Sequence, residues 1–240
     1  MKKAMHILLY IVGGVVVLFL LLAFIGSRIS SKSQYKKVNG QVFFYSYPLS
    51  GADPTTFEVI SEELQLAKDK TYVFSENEVI KGADASTFIL LADPWNNKTH
   101  YSTYAKDKNF VFFYNGISAS RGAEEVHKIE SVDPISFTVL LTKSVFPSID
   151  WQAFLVYAKD SKHVYSEDSI VEEADSATFE ILTTSDGKPS LYGADERHVF
   201  DLTDGKVMDA DRETFKVLSE KKAKDKNREY SAPPSWHYNE

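Results

Sequence analysis

The apolar residues divide the chain into two parts. Residues 7–25 are an uncharged run dominated by Leu, Val, Ile and Phe. Beyond it, apolar residues come in short groups such as Tyr72-Val73-Phe74 and Phe179-Glu180-Ile181-Leu182, which are typical of β-strands. As a helix the first run is roughly 28 Å long, close to the ~30 Å hydrocarbon core of a bilayer. The pattern therefore predicts one N-terminal transmembrane helix followed by an all-β body.

Two alternatives to an uncleaved anchor remain open for this helix. A cleaved signal peptide has an apolar region of about 7–15 residues and small residues before the cut, whereas bulky Phe24 and Ile25 stand here. The other alternative is a buried helix of a soluble protein. For orientation, Lys2 and Lys3 favour a cytoplasmic N-terminus, while the four bases after the helix favour the reverse. We expect a single-pass anchor with the body outside the cytoplasm.

Two phrases alternate along the body. The first, the Asp-Thr-Phe phrase, reads Ala-Asp-x-x-Thr-Phe with small variations and begins at Asp53, Asp84, Asp133, Asp175 and Asp211. The second, the Lys-Asp phrase, reads Lys-Asp-x-x-aromatic-Val-aromatic, and its Asp residues are Asp69, Asp107, Asp160, Asp195 and Asp225. The Asp195 copy has Ala194 in place of Lys, and the last copy is a truncated one. Constant phrases with connectors of varying length predict a repeat protein.

The letters of one unit predict its local structure. The Asp side chain of the Asp-Thr-Phe phrase can accept hydrogen bonds from N–H groups two or three residues on, which makes a capped turn. Phe then enters the core, a strand follows, and Lys-Asp turns the chain into two further short strands. We expect about five three-stranded units in an array, either solenoid-like or propeller-like. The predicted divisions are an anchor (1–27), a polar linker (28–37), the β-repeat domain (38–220) and a truncated repeat with a tail (221–240).

Composition and charge exclude several classes of function. The chain of 240 residues contains no Cys, which excludes disulfides, thiolate metal sites and cysteine nucleophiles. Residues 1–37 carry six of the 27 basic residues and none of the 34 acidic ones, so the remainder holds 21 bases against 34 acids, a balance of −13. An acidic body is a poor nucleic-acid binder, because phosphate neutralisation needs concentrated basic surface.

The repeated residues carry a resemblance to a known family. The string Asp107-Lys108-Asn109-Phe110-Val111-Phe112-Phe113, interleaved with Asp84 and Thr87-Phe88, resembles the DKNYY repeat family of bacterial proteins. The resemblance spans about residues 38–230. It departs from the name at Lys70-Thr71, Ser161-Lys162 and Glu196-Arg197. It implies an envelope-associated or secreted protein without an assigned activity, and it supplies no catalytic residue.

Candidate chemical groups have a structural explanation in most cases. Asp160 with His163, and Asp195 with His198, have a spacing that could suit a metal or an acid–base pair. Tyr72 and Phe110 fill the same position in other copies, which indicates a packing position for a ring. The repeated Asp residues could bind calcium, but one carboxylate per turn favours capping. The densest acidic segment is Glu172-Glu173 with Asp175. We therefore predict no catalytic residue, cofactor or metal site.

Three tryptophans lie outside the repeated phrases. Trp95 and Trp151 are in connectors and Trp236 is in the tail. A loop tryptophan can contact a protein or a sugar, so Trp95 and Trp151 are the candidate partner contacts. We expect a non-catalytic envelope protein, inserted in the cytoplasmic membrane through residues 7–25, whose β body binds or scaffolds an envelope protein or glycan. The alternatives are an enzyme or inhibitor with a site built from connector loops, and a cytoplasm-facing accessory subunit of a membrane complex.

Overall fold

The structure is a computed structural model that describes residues 34–62, 64–92, 94–95, 102–115, 126–144 and 154–231. Every regular element in these ranges is a β-strand, which confirms the all-β class. The described ranges include no helix of the length and apolarity needed to cross a membrane. The predicted transmembrane helix, residues 7–25, lies outside the described residues.

The strands form six small antiparallel sheets, each a meander of strands consecutive in sequence. Sheet 1 contains β1 (Tyr35–Val38), β2 (Gln41–Phe44) and β3 (Tyr47–Pro48). Sheet 2 contains β4 (Glu58–Ser61), β5 (Leu66–Lys68), β6 (Val73–Ser75) and β7 (Glu78–Val79). Sheet 3 contains β8 (Ile89–Leu90), β9 (Ser102–Lys106), β10 (Val111–Asn115) and β11 (Val126–Ile129).

The remaining sheets follow the same order. Sheet 4 contains β12 (Thr138–Ser144), β13 (Phe154–Lys159), β14 (Val164–Ser166) and β15 (Ser169–Ile170). Sheet 5 contains β16 (Glu180–Thr183), β17 (Pro189–Ala194), β18 (Val199–Asp201) and β19 (Lys206–Val207). Sheet 6 contains β20 (Lys216–Ser219), β21 (Lys222–Lys224) and β22 (Glu229–Ser231). An Asp-Thr-Phe phrase precedes each of sheets 2–6, and a Lys-Asp phrase joins the second and third strands of each.

Four of the sheets have four strands, where the sequence predicted three per unit. The missed strand is the second one, which is Leu66–Lys68 in sheet 2. It has three residues, and Ala and Lys have low β propensity, so its residue types do not predict a strand. Pairing on both sides holds it in place: Ala67 pairs with Val59 of β4 and with Phe74 of β6.

The two faces of a sheet bury their side chains against different neighbours. In sheet 2, Ala67 and Phe74 pack with sheet 1 around Phe57. Leu66 and Val73 point to the other face and pack with sheet 3 around Phe88. Further clusters join sheets 3 and 4 around Phe137 and sheets 4, 5 and 6 around Phe179 and Phe215. The phenylalanine of each phrase therefore lies at the junction between consecutive sheets.

Both end sheets differ from the interior sheets. In sheet 6, Lys222 and Glu229 have the registers of Leu66 and Val73, yet both are exposed. The last sheet therefore ends in a charged face, as expected of a terminal repeat. Sheet 1 begins at Tyr35, within the segment assigned from the sequence to the polar linker. It has strands that match β5, β6 and β7 in register, but no Asp-Thr-Phe phrase precedes it.

Candidate functional site

The Asp-Thr-Phe phrase folds as a capped turn, as predicted. The Asp53 carboxylate accepts the backbone N–H of Thr55 at 2.9 Å, and Asp84 accepts that of Thr87 at 3.1 Å. The turn is closed by the N–H of the phrase's Phe, which donates to the carbonyl of its Asp, as Phe88 does to Asp84 at 3.0 Å. The same carboxylate bond recurs in the other copies at Asp133, Asp175 and Asp211.

The Asp of the Lys-Asp phrase joins two turns that are distant in sequence. One oxygen of Asp107 accepts the N–H groups of Asn109 and Phe110, both at 2.7 Å. Its other oxygen accepts the N–H of Asp84, 23 residues earlier, at 2.7 Å. The equivalent long-range bonds run from Asp53 to Asp69, Asp133 to Asp160, Asp175 to Asp195 and Asp211 to Asp225. Each carboxylate therefore closes its own turn and holds the preceding one.

A return bond completes the connection between the two turns. The Thr87 hydroxyl donates to Asp84 and accepts the N–H of Lys108 at 3.1 Å. Where the position after Asp is lysine, its ammonium reaches the earlier carboxylate, as in Lys108 to Asp84 at 2.7 Å. The lysine and neighbouring hydroxyl donors lower the pKa of Asp84 well below its usual range. The recurring Thr and Lys thus complete a polar network that the aspartates begin.

Asp160 and Asp195 stay ionised although they are buried, because their donors outweigh burial. Burial raises the pKa of Asp160, but the N–H groups of Asp133, Lys162 and His163 lower it more, so the net pKa is below its ordinary value. Asp195 has the same balance of causes and also a lowered pKa. Backbone donors aimed at a carboxylate stabilise its charged form. These groups are consequently fixed as hydrogen-bond acceptors.

Lysines before the Asp connect one sheet to the next. The Lys106 ammonium donates to the carbonyl of Pro134 at 2.9 Å, and Lys159 donates to that of Phe179 at 3.0 Å. Both acceptors belong to the Asp-Thr-Phe phrase of the following sheet. Ala194 cannot make this bond, and there Arg212 of the following phrase donates back to the Asp195 carbonyl at 2.7 Å. A cation therefore bridges sheets 5 and 6 from the opposite side.

Tyrosines make a second connection of the same kind. Buried Tyr104 donates its hydroxyl proton to the Glu167 carbonyl at 2.7 Å, and Tyr157 donates to Leu202 at 2.8 Å. Burial raises the pKa of both tyrosines, which keeps these hydroxyls protonated as donors. Tyr192 bonds in the same way to Lys221 at 3.0 Å. Sequence reasoning missed these bonds, because donor and acceptor are 29 to 63 residues apart.

The two Asp–His pairs occupy the predicted ring position. His163 Nδ1 lies 3.9 Å from Asp160, and His198 Nδ1 lies 3.5 Å from Asp195. His198 stands edge-on to Phe200, as Tyr72 does to Phe74 in sheet 2. His198 Nδ1 is buried without a hydrogen-bond partner. Each carboxylate also accepts backbone N–H groups of its own turn.

The described residues contain no group of three or more His, Asp or Glu side chains placed to hold a metal ion. The acidic segment Glu172-Glu173 is exposed there, and Asp175 caps its own turn. Of the candidate partner contacts, Trp95 is 41% exposed and donates its indole N–H to the Leu140 carbonyl at 2.9 Å. Leu140 lies at a β-bulge of β12. Trp151 and Trp236 lie outside the described residues.

Comparison with protein families supports the family that the repeated phrases suggest. The model of the DKNYY family matches residues 35–233, which include all six sheets. No curated protein and no solved structure matches the chain. The match covers well over half of the sequence and contains every copy of both phrases. The chain belongs to the DKNYY family.

Proposed function

We propose that the chain is a single-pass protein of the bacterial cytoplasmic membrane, anchored through residues 7–25. Its β-repeat body lies outside the cytoplasm and serves as a non-catalytic binding or scaffold surface for an envelope protein or glycan. The anchor rests on the uncharged run of hydrophobic residues, and the orientation rests on Lys2 and Lys3.

The proposal of a non-catalytic body rests on the hydrogen bonds that the recurring carboxylates make. All ten aspartates of the two phrases accept backbone N–H groups in the turns, and the five of the Lys-Asp phrase also hold an earlier turn. In the Lys-Asp phrase both oxygens of each Asp accept backbone N–H groups, which favours a structural role over proton transfer. The constant chemistry of the chain therefore builds the scaffold. What varies from unit to unit is the exposed surface, where recognition takes place.

Trp95 is the best-defined contact on that surface. Its indole N–H is bonded to Leu140 while 41% of the residue is exposed, so the ring has a fixed orientation before any partner arrives. A rigid, partly exposed aromatic ring loses little conformational entropy on binding. Trp151 in the next connector is a second candidate contact.

The anchor and its orientation are tested together. A reporter that is active only outside the cytoplasm is fused to the C-terminus of the full chain, and membranes are extracted with alkaline carbonate. We expect an active reporter and a chain that stays in the membrane pellet. Release of the chain by carbonate refutes the anchor, and an inactive reporter on a pelleted chain supports the cytoplasm-facing subunit instead.

Binding is tested by cross-linking in intact cells, with mass spectrometry of the captured products. Trp95→Ala is compared with Ile170→Ala, because Ile170 is an apolar residue of similar exposure at 42% on a different sheet. We expect one reproducible partner whose yield falls in Trp95→Ala and is unchanged in Ile170→Ala. Equal yields from both variants remove Trp95 from the binding surface.

A further inference from the structure

The outward face of sheet 1 differs from the equivalent face of every later sheet. Lys36 pairs with Phe43 in the register in which Ala67 pairs with Phe74. Ala67 is fully buried, and so are the residues of that register in sheets 3, 4 and 6, namely Ala105, Ala158 and Ala223. Lys36 is exposed and Phe43 is only half-buried, because the described chain places no sheet in front of sheet 1. The replacement of a buried alanine by lysine suits a face that meets a polar environment.

The hairpin between β2 and β3 carries exposed aromatic rings at the edge of this face, with Tyr47 paired to Phe44 and so on the side of the sheet opposite Phe43. Tyr45 is 53% exposed and Tyr47 is 61% exposed. The backbone N–H of Tyr45 bonds to the Gln34 carbonyl as that of Glu76 bonds to Gln65, so the two hairpins are equivalent. Tyr45 thus stands where sheet 2 has Glu76, and Tyr47 stands where it has Glu78. Sheet 1, the sheet closest in sequence to residues 7–25, therefore has two tyrosines where sheet 2 has two glutamates.

Charge and chain length indicate which surface meets this end. The first acidic residue of the whole chain is Asp53, and Arg28, Lys32, Lys36 and Lys37 precede it after the hydrophobic run. Only eight residues, 26–33, separate position 25 from Gln34, and the nine Cα–Cα steps between these positions span at most about 32 Å when fully extended. Tyrosine is enriched at membrane interfaces, and lysine side chains favour anionic headgroups. A symmetric contact with a second copy would instead place two lysine-bearing faces against each other.

We propose that the outward face of sheet 1 (Lys36 and Phe43), together with the hairpin at its edge (Tyr45 and Tyr47), docks on the anionic headgroup layer of the membrane that holds residues 7–25. This inference rests on the proposed anchor. Docking places sheet 1 at the lipid, whereas sheet 6, with its exposed charged face, is the last in the series of packed sheets.

Single-cysteine labelling tests the docking, and the chain offers a clean background because it has no cysteine. Ser46→Cys places an environment-sensitive fluorophore between Tyr45 and Tyr47, and Ser219→Cys places the same label on sheet 6 as the matched control. The labelled full-length chains are reconstituted into phosphatidylcholine vesicles containing phosphatidylglycerol and a headgroup-quencher lipid. We expect quenching of the label at 46 to exceed that at 219 several-fold, and to weaken when phosphatidylglycerol is omitted.

Triple substitution of Lys36→Glu, Tyr45→Ser and Tyr47→Ser should abolish the excess quenching at 46 while the chain still floats with the vesicles. Chains that float without excess quenching in the unsubstituted form refute docking and leave the anchor standing. Chains that fail to float refute the anchor and the docking with it. Cross-linking between two cysteines at 46 without lipid quenching assigns the surface to a second copy and also overturns the proposal.

Discussion

Asp160 provides the sharpest test of the idea that the recurring aspartates hold the fold together. Its side chain is 1% exposed, and it accepts four donors: the N–H groups of Asp133, Lys162 and His163 and the hydroxyl of Tyr165. The distances lie between 2.8 and 3.0 Å. Asp160→Ala leaves all four donors without their acceptor and breaks the connection between two turns 27 residues apart.

The expected loss follows from these contacts. A hydrogen bond to a charged group contributes about 1.5–3 kcal/mol, but turn N–H groups near the surface can recover water, so the four do not add fully. We expect Asp160→Ala to lower the free energy of unfolding by about 4 kcal/mol, which corresponds to a Tm decrease of roughly 8–16 °C for a domain of this size. Asp160→Asn keeps one acceptor oxygen but presents an amide to the Asp133 N–H, so its loss should be intermediate.

Thermal unfolding of the full chain in detergent, followed by circular dichroism, measures these losses. Asp168→Ala is the matched control, because Asp168 is an exposed aspartate of the same sheet that bonds only to its neighbour Ser169 among the described contacts. Its Tm should stay within about 2 °C of the native value. An Asp160→Ala chain that melts with the control would refute the proposed role of the carboxylate.

Lowering the pH should weaken the same hydrogen bonds by protonating the Asp160 carboxylate. The pKa of Asp160 is lowered in the folded state, so the folded chain binds its proton more weakly than the unfolded chain does. The stabilisation is therefore fully present above the unfolded pKa of about 3.9 and disappears as the pH falls through the folded value. We expect the Tm difference between the native chain and Asp160→Ala to shrink below pH 4. A difference that is constant down to pH 2 contradicts an ionised acceptor.

Three further substitutions test the contacts between sheets. Arg212→Ala should lower Tm, and adding Ala194→Lys should restore part of it, because a lysine there has the register of Lys159. No restoration would contradict the idea that a cation at either position makes the same bridge between sheets. Gly193→Ala should cost about 1–3 kcal/mol in denaturant unfolding, because the new methyl group would lie 2.8 Å from the Phe179 ring; native-like stability would contradict this packing. Lys222→Leu combined with Glu229→Val should cause concentration-dependent association in light scattering, by making the end of sheet 6 apolar; an unchanged mass would refute its capping role.

Local chemistry explains which parts of the fold could be predicted. The bonds of Asp53 and Asp84 to N–H groups two or three residues on need only adjacent letters, so the capped turns follow from the phrase itself. The ring position at His163 and His198 was also predictable, because Tyr72 and Phe110 occupy it in other copies. The second strand of sheet 2, Leu66–Lys68, was missed because pairing with strands on both sides holds it in place, while its own residues have low β propensity.

The repeats, the all-β class, the family and the capped turns could all be recognised from the sequence, because each depends on residue types at short, fixed spacings. Folding alone shows that each Asp of the Lys-Asp phrase holds a turn 14 to 27 residues away, and that Lys106, Arg212 and Tyr104 join consecutive sheets. Sheet 1 likewise could be recognised as a repeat unit only from its strand register, because it lacks both aspartates of a complete unit. Such contacts depend on which backbone carbonyl and N–H groups lie close together in the folded chain, and the spacing of residues along the sequence does not specify those positions.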